Sequence, residues 1–211
     1  MYLYGTIQTY AAAASSVSPT PGGGSVAALA GALGTTMAAM AANFTVGKKK
    51  FESVEPEVRE HLASCLRARD ELLRLMDEDT RAYATVSAAY GMAKETPEEK
   101  KARSAAIQEA LVTAMDAPLR VVRECRDVMK PVARLAEIAN PNLISDVGVA
   151  AILAEAALRA AKLNVEINLR ELKDAKRVAA VRAEIEQSAR ETAAAAAAVM
   201  DKVNRAVGAG G

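Results

Sequence analysis

Tryptophan is absent from this chain, aromatic side chains make up only 3% of its 211 residues, and histidine occurs once. A core without large rings has to be built from alanine and aliphatic side chains, and the 51% hydrophobic content supplies them. The lone His61 and the cysteines Cys65 and Cys125, which form no C-x-x-C motif, cannot make a zinc site of the usual N/S kind. No metal is therefore expected. The cysteines read as reduced thiols of a cytoplasmic protein, and His61, set among charges in VREHLASCLRARDELLRLMDED, as a solvated helix position. Charge of one sign is lacking too. With 27 Lys+Arg against 26 Asp+Glu, the chain has no basic excess of the kind a nucleic-acid binder needs. The N-terminus has no basic n-region and is interrupted by SSVSPTP, which argues against a signal peptide.

What is present in abundance is alanine, the best intrinsic helix former, and no region sustains Val/Ile/Thr alternation. The class is all-α. Residues 6–16 read as a short helix halted by SVSPTPGGGS, and an apolar run then continues to Gly47, where a glycine C-cap and lysines suit a helix end. A third helix restarts near Pro56, with Val58, Leu62, Leu66, Leu73, Met76 and Tyr83 at roughly helical spacing. Thr96, Pro97 and Glu99 predict the N-terminus of a fourth, running towards Val132 with a kink at Pro118. IANPNLISDVG is the next break, a long helix follows from Asp146, and a last helix ends in a glycine-rich tail expected to fray. The expected architecture is one domain over residues 1–211, a bundle of about six mostly antiparallel helices.

The run from Gly22 to Gly47 carries no charge and is long enough to span a membrane. Its Ala, Gly, Ser and Thr content makes it a poor span, because such residues gain little in lipid. Small residues at Ala27, Gly31, Gly34 and Ala38 suit close helix packing instead, so a buried central helix, placed to serve a subunit interface, is expected.

Candidate chemistry falls in four places. PGGGS opens a helix with free backbone N–H groups, which serves either an anion or simply a tight turn with close packing. It is neither a Walker A loop nor a dinucleotide fingerprint. Asp146 opens an apolar helix without an adjacent basic partner, an arrangement that the helix dipole alone also explains. Asn164 and Asn168 lie one turn apart on a mostly apolar helix; with Asn43 they suit a buried polar network or a ligand-facing strip. In MDEDTRAY, Asp79 and Tyr83 are one turn apart and able to line a common groove, while Asp77 and Glu78 read as solvated. Lys48 to Lys50 read either as a solvated helix end or as a hold for carboxylates.

SPTPGGGSVAALAGALG, NFTVGKKKF, AYGMAKETPEEKKARSAAIQEAL and NLISDVGVAA…LNVEINL, in this order, resemble the cyclodeaminase/cyclohydrolase family of folate enzymes. The resemblance covers Thr6 to about Val203, and the middle segment is most similar to the stand-alone methenyltetrahydrofolate cyclohydrolases. It implies an all-helical homodimer, a tetrahydrofolate site between helices, and no metal, nucleotide or permanently bound cofactor. Carried onto this chain, the glycine motif is Pro21, Gly22, Gly23, Gly24 and Ser25, and the Ser-Asp motif is Ser145 and Asp146. Pro141 departs from the pattern, which leaves the shape of that loop open. The expected reaction is hydrolysis of 5,10-methenyltetrahydrofolate to 10-formyltetrahydrofolate. Asp146 is the candidate carboxylate base, Asn43, Asn164 and Asn168 the candidates for the pterin's amide edge, Asp79 a further contact, and the lysines from Lys48 for the glutamate tail. Formiminotetrahydrofolate cyclodeaminase activity and a non-catalytic helical binder are the alternatives.

Overall fold

A computed structural model of the chain describes residues 2–208. It contains helices α1 (Ile7–Ala14), α2 (Gly23–Asn43), α3 (Glu55–Tyr90), α4 (Pro97–Ile138), α5 (Ile144–Glu171) and α6 (Ala175–Gly208), and no strand among the described residues. The all-α bundle agrees with the sequence reading; the tail from 209 onward lies outside the described residues.

The helix starts follow their local chemistry. Thr96 accepts from the Glu99 amide while the Glu99 carboxylate accepts from the Thr96 amide, a complete capping box, with Pro97 in the first turn of α4. Gly47 takes up a positive φ of 73°, which suits a glycine in the turn after α2. Two features differ from expectation. The helix expected to end near Val132 continues to Ile138, through both Pro118 and Pro131. Apolar burial of Leu119, Val122, Val128, Val132 and Leu135 around those prolines outweighs the lost backbone bonds. Asp77, expected on a solvated face, is only 4% exposed. It accepts hydrogen bonds from the backbone of Tyr2 (2.7 Å) and Leu3 (3.4 Å), and so fastens the N-terminal segment to α3.

The centre of the bundle is α2, packed against α3, α4 and α5. It is the one helix among the described residues long and apolar enough to cross a membrane, yet it is mostly buried in the protein. Twelve of its residues are buried, all of them alanine, glycine, serine or threonine. Their small size lets neighbouring backbones approach. A Cβ at Gly34 would lie 3.0 Å from Leu153 Cβ and 3.2 Å from Ala150 O and Ala154 N. Gly23 meets Asn164 in the same way, so α2 and α5 run antiparallel. Around this axis two clusters are stacked, one containing Leu72, Leu75, Leu158 and Ile185, the other Val58, Val132, Leu135 and Val199.

One face of the α2/α5 pair has no cover. Val26, Leu33 and Met40 of α2 and Val149, Ile152, Leu163 and Ile167 of α5 are exposed, Leu163 and Ile167 by 67% and 69%.

Candidate active site

The N-terminus of α2 has no capping side chain of its own; Gly22 occupies the N-cap in extended backbone. The missing cap comes from α3. Asp79 Oδ2 accepts from the Ser25 amide at 2.9 Å, so a carboxylate sits against the free N–H end of the helix. Glycine at position 24 is what permits this, since a Cβ there would fall on the Asp79 carboxylate. Gly23 likewise leaves room for Asn164, whose amide atoms would be 3.3 Å from a Cβ. Ser25 is buried, and its hydroxyl is hydrogen-bonded to Tyr10 at 2.9 Å, which ties α1 to the same corner. Burial pushes the Asp79 carboxyl above the ordinary aspartate range, and the Ser25 amide only partly offsets it. Burial likewise raises the Tyr10 hydroxyl, against the bond from Ser25.

Ser25 and Tyr10 lie behind a cavity of about 360 Å³ that is bounded by Gly22, Gly23, Gly24, Asp79, Tyr83, Asn164 and Asn168 among others. The asparagines persist inside a helix by bonding back one turn. Asn164 Nδ2 donates to Ala160 O at 2.9 Å and Asn168 Nδ2 to Asn164 O at 2.8 Å. Among the described residues each keeps its Oδ1 and one N–H without a protein partner, an acceptor–donor pair for a ligand. Pro118 adds to this wall indirectly: it has no N–H for the Ala114 carbonyl, and Ala114 lines the cavity. Val86, Leu111 and Ile167 give the remaining wall an apolar character.

The other residues singled out in the sequence lie elsewhere in the chain. Asn43 is the last residue of α2, about 30 Å from Gly23 by helical rise. Lys48 follows it and is exposed, as are Lys49 and Lys50. Ser145 and Asp146 open α5, about 27 Å of helix before Asn164. Within one chain the two groups stand at opposite ends of the α2/α5 pair, because both helices are longer than the cavity. Asp146 is half-buried and Ser145 exposed. The Pro141 loop forms a 3₁₀ turn over Pro141–Leu143, with the Asn140 side chain accepting from the Asn142 amide and the Asn140 amide donating to Thr45 Oγ1 at 2.8 Å. His61 is also less solvated than expected, with 17% of its side chain exposed and Glu57 3.5 Å away.

Sequence reasoning did not single out Val86, Tyr90, Leu111, Ala114, Ile167 or Glu171. Part of the signal was there: Tyr90 repeats Tyr83 after two helical turns, and Glu171 follows Asn168 by three residues on the same face. Leu111 and Ala114 come from a helix distant in sequence, which no local pattern announces. Cys65 and Cys125 are buried free thiols, both pushed up to about 12 by burial, and take no part in the cavity.

The bundle thus sets a carboxylate on a glycine-opened helix with two asparagines opposite it, and no group of three or more His, Cys, Asp or Glu side chains able to hold a metal ion occurs among the described residues. The formiminotransferase-cyclodeaminase family profile matches residues 6–187, and the chain belongs to that family. It is 45% identical over 169 residues to a methenyltetrahydrofolate cyclohydrolase of Methylorubrum extorquens, covering 80% of this chain and 81% of that protein. It is 36% identical over 159 residues to the formimidoyltransferase-cyclodeaminase of Gallus gallus, where the match covers 75% of this chain but 29% of the longer relative. The crystal structure of formiminotetrahydrofolate cyclodeaminase from Thermotoga maritima superposes with a TM-score of 0.78 at 32% identity, over 97% of this chain and 96% of that one.

Proposed function

We propose that this protein is a methenyltetrahydrofolate cyclohydrolase, converting 5,10-methenyltetrahydrofolate and water to 10-formyltetrahydrofolate and a proton. The observation that carries the reading is the half-buried Asp79 carboxylate in a cavity shared with Asn164 and Asn168. The relative matched along four-fifths of both chains, a methenyltetrahydrofolate cyclohydrolase by name, supports it.

In the substrate one cationic carbon bridges N5 and N10, so it is electrophilic before it binds. A raised carboxylate is suited to take a proton from the attacking water, which forms the C–O bond and a neutral carbinolamine. The same carboxyl then returns that proton to N5 as the C–N5 bond breaks. The carbinol proton leaves to solvent as the formyl C=O forms on N10. Each proton transfer of this kind contributes about 10²–10⁴-fold. Asn164 and Asn168 complement a pterin amide edge, and within one chain Asp79 rather than Asp146 serves as the base.

Asp146 regains a place if the protein acts as a homodimer. The stripe Val26, Leu33, Met40 is spaced evenly about Leu33, so a second copy laid antiparallel across it buries like against like. That operation carries the partner's Asn43, Ser145 and Asp146 to the level of the Gly22–Asn168 cavity. The resulting site has a cytoplasmic, folate-using enzyme in view, with no permanently bound cofactor.

The test follows the near-ultraviolet methenyl band after adding purified protein to 5,10-methenyltetrahydrofolate, against a buffer blank. Loss of the band faster than the blank is expected. A second reading, formiminotetrahydrofolate cyclodeaminase, is favoured by the Thermotoga maritima match; it predicts growth of the band from 5-formiminotetrahydrofolate. A flat trace with both substrates overturns both.

A further inference from the structure

Helix α1 is the one least engaged with the rest of the bundle. Ile7 is 82% exposed, and from Ile7 to Ala14 only Tyr10 is buried. That single side chain is held at both ends. Its ring meets Tyr2 edge-to-face with centroids 5.4 Å apart, and Tyr2 is fixed in turn by its amide bond to Asp77. Its hydroxyl bonds to that of Ser25, which is fully buried. A helix burying so little apolar area adds little to the core. What it delivers is one hydroxyl group, directly behind the Asp79 carboxylate.

Ser25 presents two groups to that corner. Its amide donates to Asp79 Oδ2 at 2.9 Å, while its hydroxyl bonds to Tyr10 and to no other side chain among the described residues. A serine side chain has three staggered positions, and two of them bring the hydroxyl beside the residue's own amide, and so beside whatever that amide holds. In the first turn of α2 no preceding turn blocks them. A buried hydroxyl without Tyr10 needs another partner, and the Asp79 carboxylate is the acceptor at hand. The titratable groups around Asp79 are Asp77 and Tyr83 on its own helix, Tyr2 and Tyr10 from the N-terminal segment, and Tyr90 and Glu171 further along the cavity. From α2 and α4 come none, and no lysine, arginine or histidine is among the cavity's lining residues. Burial and hydrogen bonds therefore govern how tightly this carboxylate holds a proton.

We propose that Tyr10 is a positioning residue for the reaction: by holding the Ser25 hydroxyl away from Asp79, it leaves that carboxylate tied to the helix end by one bond and free to engage water in the cavity. The proposal rests on the cyclohydrolase reading, with Asp79 as the base. It gives α1 a part in catalysis although none of its residues lines the cavity.

The test compares Tyr10→Phe, which keeps the ring packing and removes the hydroxyl, with the wild type on 5,10-methenyltetrahydrofolate. The Ser25 hydroxyl is expected to turn onto Asp79 and favour its charged form, so the acid limb of log kcat/KM moves down by about one pH unit. With a weaker, more tightly tethered base, kcat falls about 10-fold, a fraction of what the whole proton transfer supplies, while KM stays within about 2-fold. In Tyr10→Phe/Ser25→Ala no hydroxyl remains to turn, the amide still donates, and the acid limb returns to its wild-type position. Carbon-13 NMR titration of the Asp79 carboxyl without substrate, assigned through Asp79→Asn, is expected to show the same movement and the same return. A purely structural role for Tyr10 predicts lower stability with the limb unmoved. A limb that stays in place in Tyr10→Phe, or moves and does not return in the double variant, overturns the proposal and leaves the cyclohydrolase reading standing. A wild-type protein that does not hydrolyse the substrate overturns the reading and the proposal together.

Discussion

At the scale of single residues, the decisive contact is between Asp79 and the first turn of α2. Its carboxyl binds a proton more tightly in the folded protein than in the unfolded chain, because burial raises it. The sign follows: stability falls as pH rises from the ordinary aspartate range through the raised value, and is flat above it. Asp79→Asn keeps an acceptor for the Ser25 amide while removing that charge. At neutral pH the variant is expected to resist urea at least as well as wild type, while kcat falls about 10²–10⁴-fold. In the wild type, log kcat/KM should show an acid limb centred above the ordinary aspartate pKa. A variant with unchanged kcat removes Asp79 from the chemistry. Gly24→Ala probes the same contact from the other side. Its methyl group falls on the carboxylate, which has to turn away from the Ser25 amide. A loss of about 10²-fold in kcat/KM with an unaltered far-ultraviolet spectrum is expected, the effect of misplacing a reacting group by about 1 Å.

At the scale of elements, what positions the cavity is the close antiparallel packing of α2 on α5. Gly34→Val puts its extra atoms against Leu153 Cβ and the backbone of Ala150 and Ala154, none of which is the free end of a flexible side chain. Overpacking of this sort costs about 1–3 kcal/mol, read as a lower urea midpoint at unchanged m-value. A midpoint equal to that of wild type would mean that the two helices part at little cost. This packing was legible in the sequence, because Ala27, Gly31, Gly34 and Ala38 advertise a helix made to be approached. So was the start of α4, where Thr96, Pro97 and Glu99 act within one turn of each other. The length of α4 was not legible. A proline signals a lost hydrogen bond locally, and whether the helix survives it depends on the apolar neighbours that other helices bring to Val122, Val128 and Val132. Asp77 was misjudged for the same reason, since its partners Tyr2 and Leu3 lie about 75 residues earlier.

At the scale of the whole molecule, the sequence supplied a list of site residues without saying which ones meet. Gly22 to Gly24, Asp79, Asn164 and Asn168 converge because α2, α3 and α5 cross at one corner, and that crossing is a property of packing rather than of any motif. Asn43, Lys48, Ser145 and Asp146 gather at the opposite end of the same helix pair. Two ends of an antiparallel pair become one place only under a two-fold operation, and the uncovered apolar face is where such an operation has something to bury. If two copies associate there, Leu33 lies close to the axis and meets its own equivalent. Leu33→Glu then desolvates two like charges against each other, and the dissociation constant should rise by at least about 100-fold. Light scattering at micromolar protein is expected to give the mass of two chains for the wild type and of one for the variant, with helical content retained in both. The kinetic half of the test decides whether association matters for the site. If the partner's Asp146 completes the cavity, kcat/KM falls as the monomer fraction rises and recovers at high protein concentration. An equal mixture of Leu33→Glu with a complementary Leu33→Lys chain should restore both mass and rate. A wild-type chain that is monomeric and fully active would instead confine the chemistry to Asp79 and the two asparagines, and leave Asp146 to its helix dipole.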